Sequence, residues 1–427
     1  MGVDTTRRDV ALLYRRFAFG ATAAELDAAQ AHGYDSTITT LLTFGDGGPA
    51  DAAPPTLRPD QPVPTDPNAR KTFLQARAAD TKALQDWWLR RMITSPVPAT
   101  EKLAWYWHGH FATAVSKVQA PSLMLGQNML FRSIGAGPFR DLAQAVAKDP
   151  AMLVWLDSNS NVKAHPNENF ARELMELFTL GIGNYSEDDV KEAARCFTGW
   201  SYNRDTASFQ FRPERHDTGS KTVLGHTANL GGEDVIDVVA ASTTGAAFVT
   251  ARLWSHFAYP IDAADPIVST IVALKPATVA DTLRAIAQHP QFRSDATHNA
   301  LIKQPIEWLV GALHALGVAY DPKFSAILQR LGQVPFDPPN VAGWPQNLYW
   351  VSTASALTRL AGASQIAAAA DLHAVIAAPV AQRPTACARL LGINEWSTAT
   401  EAALATASAD PRALVALALC SPDYVLN

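Results

Sequence analysis

Apolar positions recur at helical spacing along most of this chain. In Asn167–Gly181, Phe170, Leu174, Leu177 and Phe178 make one apolar stripe. Asn169, Arg172, Glu173 and Glu176 make a second stripe, polar and charged, at the same spacing. Side chains three and four apart share a helical face, so each stripe is continuous. The first docks the helix. The second faces water or a polar site; a charged stripe opposite an apolar one predicts that its four residues are largely buried and face a cavity or a polar network.

The same periodicity predicts helices over 5–18 and from Thr22 to Gly33, the latter opened by a Thr22-x-x-Glu25 capping box. Others are predicted over about 70–94 and from near Thr100, with Leu103, Trp107 and Phe111 on one stripe. Further helices fall at 121–134, 138–148, 168–180, 186–197, 232–241, 245–257, 278–289, 299–316, 322–332, 352–371 and 372–378. Residues 46–69 are rich in Pro, Gly and Asp without periodicity, which reads as a long, exposed, mobile loop. Ser208–Arg212 alternates and follows a turn at 203–206, so a β-hairpin and then a loop are expected near 200–225. Leu283–Phe292 and Leu414–Tyr424 echo each other: an apolar helix, a Pro and a docked aromatic. The fold class is therefore mainly α: one large globular unit with N-terminal helices in 1–45, the 46–69 loop and a main body over 70–427.

Composition narrows the function little. The chain has 427 residues, 48% of them apolar, which fits a folded globular protein. Lys and Arg total 35 against 40 Asp and Glu, a net charge of 35 − 40 = −5 with no long basic run, which disfavours a nucleic-acid partner. Cys196, Cys387 and Cys420 are too scattered for a thiolate metal site or a disulfide framework. No apolar run reaches the ~20 residues of a membrane helix. The N-terminus lacks the apolar core of a secretion signal, so the chain as given reads as cytoplasmic. No glycine-rich phosphate loop, GxSxG elbow or HExxH motif occurs.

Four ordered motifs carry more information. They are Trp107-His-Gly-His-Phe111; Asn167–Gly181 with Asn184-Tyr185 and Ala193–Trp200; His216–Gly225; and Phe336-Asp-Pro-Pro-Asn-Val-Ala-Gly-Trp344. With Arg16 and Phe19-Gly20, this set resembles the DUF1800 family over roughly residues 10–365. The chain departs from that pattern at Gly109, where Asn is usual. Similar proteins often carry export signals, so the resemblance leaves export open. They often sit beside DUF1501 proteins, which implies a DUF1501-like partner. It implies no chemistry.

Each motif has a chemical and a structural reading. His108 and His110 are two apart and point about 200° from one another, so they share an ion only if the helix ends or distorts at Gly109. Otherwise one is buried with a partner and the other exposed. His216 and His256 (in Arg252-Leu-Trp-Ser-His-Phe) also fall in family-like segments. With Glu173 and Glu176 they offer nitrogen and oxygen ligands for zinc, iron, copper or manganese, provided three or four converge. Glu173 or Glu176 suits a general base and Arg172 an anion clamp; the alternatives are surface helix pairing and a buried Arg–Glu network. His216, Asp217 and Lys221 lie in a donor-dense loop that could grip an anion, or form an ordinary polar turn. The proline-rich Phe336–Trp350 reads as a packing clamp, with Trp344 alternatively lining a wall for a saccharide-like ligand. Asn169 completes the candidate substrate contacts. A metal-dependent hydrolase acting on a small molecule through His108, His110, His256, Glu173, Glu176 and His216 is one expectation. A metal-dependent oxidoreductase is another. A non-catalytic helical assembly protein is the third.

Overall fold

A computed structural model describes residues 6–45 and 53–427. Among these, twenty-four α-helices enclose one dominant apolar core, and strands form only two small two-stranded sheets. The mainly α expectation is met. Helix ends follow local chemistry. Thr22 and Glu25 form the expected capping box. The long helix Pro67–Thr94 starts three residues before the expected position, because Asp66 caps it and Pro67 occupies its first turn. The helix expected over 299–316 is shorter, Pro305–Ala315, because Gln304 is its N-cap, its N–H donating to Glu307 at 2.9 Å, and Pro305 takes the first helical position.

Helices at Tyr34–Leu41, Pro150–Trp155 and Pro266–Ala273 were not legible in the pattern. They are short, and burial rather than a long stripe holds them. The echoed aromatics Phe292 and Tyr424 both dock in the core, as a repeated helix stop requires.

Part of the 46–69 loop, residues 46–52, lies outside the described residues. The stretch from 53 to 66 has no regular structure but is tied down. Arg58 pairs with Asp80, and Asp60 accepts hydrogen bonds from Arg77, Tyr202 and Arg204. The predicted hairpin is present as β1 (Trp200–Asn203) with β2 (Ser208–Phe211), antiparallel. A second hairpin, β3 (Lys221–Val223) with β4 (His226–Ala228), replaces the expected loop.

The helix Pro98–His110, here α1, runs through the core; all of its residues but Pro98 and Gly109 are buried. Its first turn carries a polar knot. The Glu101 carboxylate, fully buried, receives both Arg132 guanidinium nitrogens, Arg91 Nε at 3.1 Å and Trp88 Nε1 at 3.2 Å. Arg132 Nε also donates to Asn128 Oδ1 at 2.7 Å. Every lone-pair direction of this carboxylate is used, which is what makes burying it tolerable.

Candidate functional site

The last turn of α1 presents His108 and His110 in opposite directions, as their spacing requires. His108 Nε2 accepts the Phe336 N–H at 3.1 Å, and its ring sits among Trp88, Trp105, Phe336 and Trp344. That nitrogen is spoken for, so His108 helps hold the 336–344 clamp. It is not in position to share a ligand with His110. Phe336 itself has φ +67°, a conformation costly for a bulky residue, fixed here by His108 on its N–H and the Val115 N–H on its carbonyl.

His110 is buried rather than exposed, and its Nε2 lies 3.0 Å from the Phe178 carbonyl. A carbonyl only accepts, so Nε2 carries the proton and Nδ1 keeps the lone pair of the neutral ring. The Phe178 carbonyl is available because helix Asn169–Glu173 continues as a π-helix over Leu174–Thr179, and that wider turn is its last. Burial, with the Arg252 charge adding to it, pushes the His110 pKa down to about 3.

His110 faces a cavity of about 30 Å³, room for one or two waters. Its wall includes Tyr106 from α1, Arg252 and His256 from α2 (Thr243–Phe257), Gln304 at the cap of α3 (Pro305–Ala315), and Trp344. Four buried polar atoms here have no hydrogen-bond partner: Tyr106 Oη, His110 Nδ1, His256 Nε2 and Trp344 Nε1. They are four of the fourteen such atoms among the described residues. Broader surface grooves of about 610 and 520 Å³ have none in their walls. Buried polar atoms are nearly always satisfied, so this concentration marks a place where a ligand or ordered water supplies the partners.

The surroundings are polarised. Tyr106 stacks on His110 at 5.7 Å and packs against His256 at 5.0 Å. Burial pushes the His256 pKa down to about 3. Under the cavity, Glu307 and Lys102 form a buried ion pair, and Gln304 Oε1 accepts from Trp105 Nε1 and Gln333 Nε2. Burial alone would raise the Glu307 pKa; Lys102 and His256 outweigh it and hold the carboxyl below its ordinary value. Trp344 is stacked on Trp105 with centroids 4.5 Å apart, which covers one ring face, and it contributes to the cavity lining. Gly343, at φ +81°, sets that placement: a Cβ there would sit 2.2 Å from the Gly109 carbonyl oxygen. Gly109 has open space beside it, so the unusual glycine enlarges the site rather than breaking α1.

The other candidates lie elsewhere. The polar stripe is not largely buried. Asn169 is exposed, and Arg172, Glu173 and Glu176 are half-buried. Arg172 pairs with Glu168 and Glu187, and Tyr185 donates to Glu176 at 3.0 Å. Burial and the neighbouring Glu176 raise the Glu173 pKa. This is mostly surface pairing between helices, and it differs from the expected cavity face because the apolar stripe alone docks. His216 Nδ1 meets the Thr198 carbonyl at 2.8 Å. Asp217 takes Arg195 Nε at 2.7 Å and its own loop's Gly219 N–H at 2.8 Å. Lys221 donates to the Leu230 carbonyl and Asn229. Asp217, Gly219 and Lys221 of this loop are thus engaged within the protein, with Arg195, with the loop itself and with Asn229 and the Leu230 carbonyl. Among the described residues no three His, Cys, Asp or Glu side chains gather as a metal site. The convergence expected of His108, His110, His256 and His216 is therefore limited to His110 and His256. Tyr106, Arg252 and Gln304 belong with them and were missed. Arg252 was legible in principle, since it lies four residues before His256 on one helical face.

A helical protein with a small buried polar cavity where α1, α2 and the 336–344 clamp meet is thus the class defined by fold and site. The chain belongs to the DUF1800 family, described as proteins of unknown function, whose model matches residues 12–426. No curated protein and no solved structure matches it.

Proposed function

We propose that the chain is an enzyme whose chemistry takes place at the His110–His256 cavity, and that the reaction is hydrolytic. The observation carrying this reading is the set of four unpartnered buried polar atoms around one water-sized space. A water in that space has His110 Nδ1, the free lone pair of a neutral ring fixed by the Phe178 carbonyl behind it, as hydrogen-bond acceptor; its low pKa makes it a positioning acceptor for the attacking water rather than a strong base. Tyr106 Oη and His256 Nε2 are within the same wall to hold the water or the developing oxyanion. Glu173, Glu176, Arg172 and His216 take no part.

The test is a screen of esters, amides and phosphoesters against wild type, His110→Gln and His256→Gln. Turnover lost in both variants with melting temperature retained is the expected result. Turnover surviving both substitutions rejects this cavity as the site. If every class is inert, the non-catalytic binding reading takes its place.

A metal-dependent form of the reaction, hydrolytic or redox, would use His110 Nδ1 and His256 Nε2 and take its remaining ligands from water and substrate. It is favoured by one feature: a ligand histidine commonly donates its other N–H to a backbone carbonyl, as His110 does to Phe178. Elemental analysis of zinc, iron, copper and manganese in wild type and His110→Ala tests it. Equal content in both rejects it.

A further inference from the structure

We propose that the cavity recognises an oxyanion, and specifically a carboxylate group of its ligand, with Arg252 and Trp344 as the reading residues. The inference rests on the cavity being the functional site but concerns what it binds rather than what it does there.

The lining is unbalanced in hydrogen-bond character. It includes no aspartate or glutamate. Trp344 Nε1 and the Arg252 guanidinium can only donate. Trp344 is 8% exposed and its Nε1 has no partner. Gln304 has its Oε1 occupied by Trp105 and Gln333, which leaves its amide N–H groups as the face available to a ligand. Tyr106 Oη, also unpartnered, can donate as well. Against these, His110 Nδ1 is the one committed acceptor.

Charge points the same way. Arg252 is exposed at the cavity edge, and the described residues provide it no carboxylate partner, although most arginines of this chain have one. Arg252 lines the cavity and its charge acts on His110, His256 and Tyr106, while the nearby carboxylate, Glu307, is already paired with Lys102. An anion entering here completes a charge-assisted bond at Arg252 and a donor pair at Trp344 and Tyr106. The space suits a flat carboxylate end better than a tetrahedral phosphate, since it holds only one or two waters. The remainder of the ligand would lie outward past Gln346.

The experiment is titration of the full chain with formate, acetate and inorganic phosphate, read by calorimetry and by melting temperature, in wild type, Arg252→Ala, Trp344→Phe and the remote surface variant Lys275→Ala. Saturable binding of formate or acetate is expected, unchanged in Lys275→Ala and weakened about tenfold or more in Arg252→Ala, as loss of a charge-assisted bond implies. Arg252 is exposed, so its variant is expected to fold even if Trp344→Phe does not. Absence of saturable carboxylate binding, or equal affinity in wild type and Arg252→Ala, overturns the proposal; so does binding of phosphate with no carboxylate binding. His110→Gln separates this proposal from the catalytic one. Acetate binding retained while turnover is lost supports both. Turnover that requires His110 and His256 without any carboxylate binding overturns the oxyanion reading and leaves the catalytic reading standing.

Discussion

Two buried polar clusters share α1, at opposite ends, and they are built in opposite ways. Glu101 lies nine residues before His110, about 14 Å along the axis at 1.5 Å per residue. Around Glu101, four donors close on one carboxylate, and nothing is left over. Around His110, four polar atoms are buried with no protein partner. The first cluster is complete without a ligand and is a structural joint between helices. The second is incomplete and keeps a space. Burial alone therefore does not distinguish the two clusters; whether the buried groups are satisfied does.

The comparison can be broken most directly at Glu101. Glu101→Ala leaves Arg132 buried without its counter-charge and removes one acceptor of Arg91, and should cost roughly 3–5 kcal/mol, measured by urea unfolding. A loss well under ~1 kcal/mol would show the knot to be dispensable.

Gly343→Ala tests whether the cavity wall is set by a close approach. It forces a Cβ against the Gly109 carbonyl and a side chain into a positive φ. A destabilisation of about 1–3 kcal/mol is expected, with carboxylate binding reduced because Trp344 is displaced. Unaltered stability and binding would show that the wall is soft.

Acid should weaken the protein through the imidazoles. Burial holds His108, His110 and His256 at pKa values of about 3 when folded, against ~6.5 when unfolded. Between those values the unfolded chain binds more protons, so stability is intact above pH ~6.5 and falls as pH drops towards ~3. The slope is up to roughly 1.4 kcal/mol per pH unit for each histidine. Urea midpoints at pH 7, 6, 5 and 4 measure it, and His110→Gln should flatten the slope. A stability independent of pH over this range would contradict neutral, buried rings.

The smallest effect belongs to Tyr106→Phe. Its hydroxyl has no partner in the protein, so removing it should change stability by less than ~1 kcal/mol in either direction. The contrast with Glu101 is the point. A loss as large as that of Glu101→Ala would mean that the hydroxyl is already satisfied and that the cavity is only structural.

What could be read before folding follows from periodicity and caps. The mainly α class, most long helices, the first hairpin and the family itself come from local spacing and ordered motifs, because helix and strand patterns repeat within a few residues. The opposed directions of His108 and His110 also follow from spacing alone. Short helices such as Pro150–Trp155 escape, since a single turn or two has no stripe to read. The charged face of Asn169–Glu176 misled for a related reason: spacing shows that side chains share a face but not what that face meets. Only the packed chain decided that this face pairs at the surface, that Lys221 turns to the Leu230 carbonyl and Asn229, and that Asp217 is taken by Arg195. The site was decided in the same way. His110, His256, Gln304 and Trp344 come from distant segments, and their meeting depends on the Gly343–Gly109 contact and on a π-turn that frees one carbonyl. Those are long-range steric facts, and no local pattern encodes them.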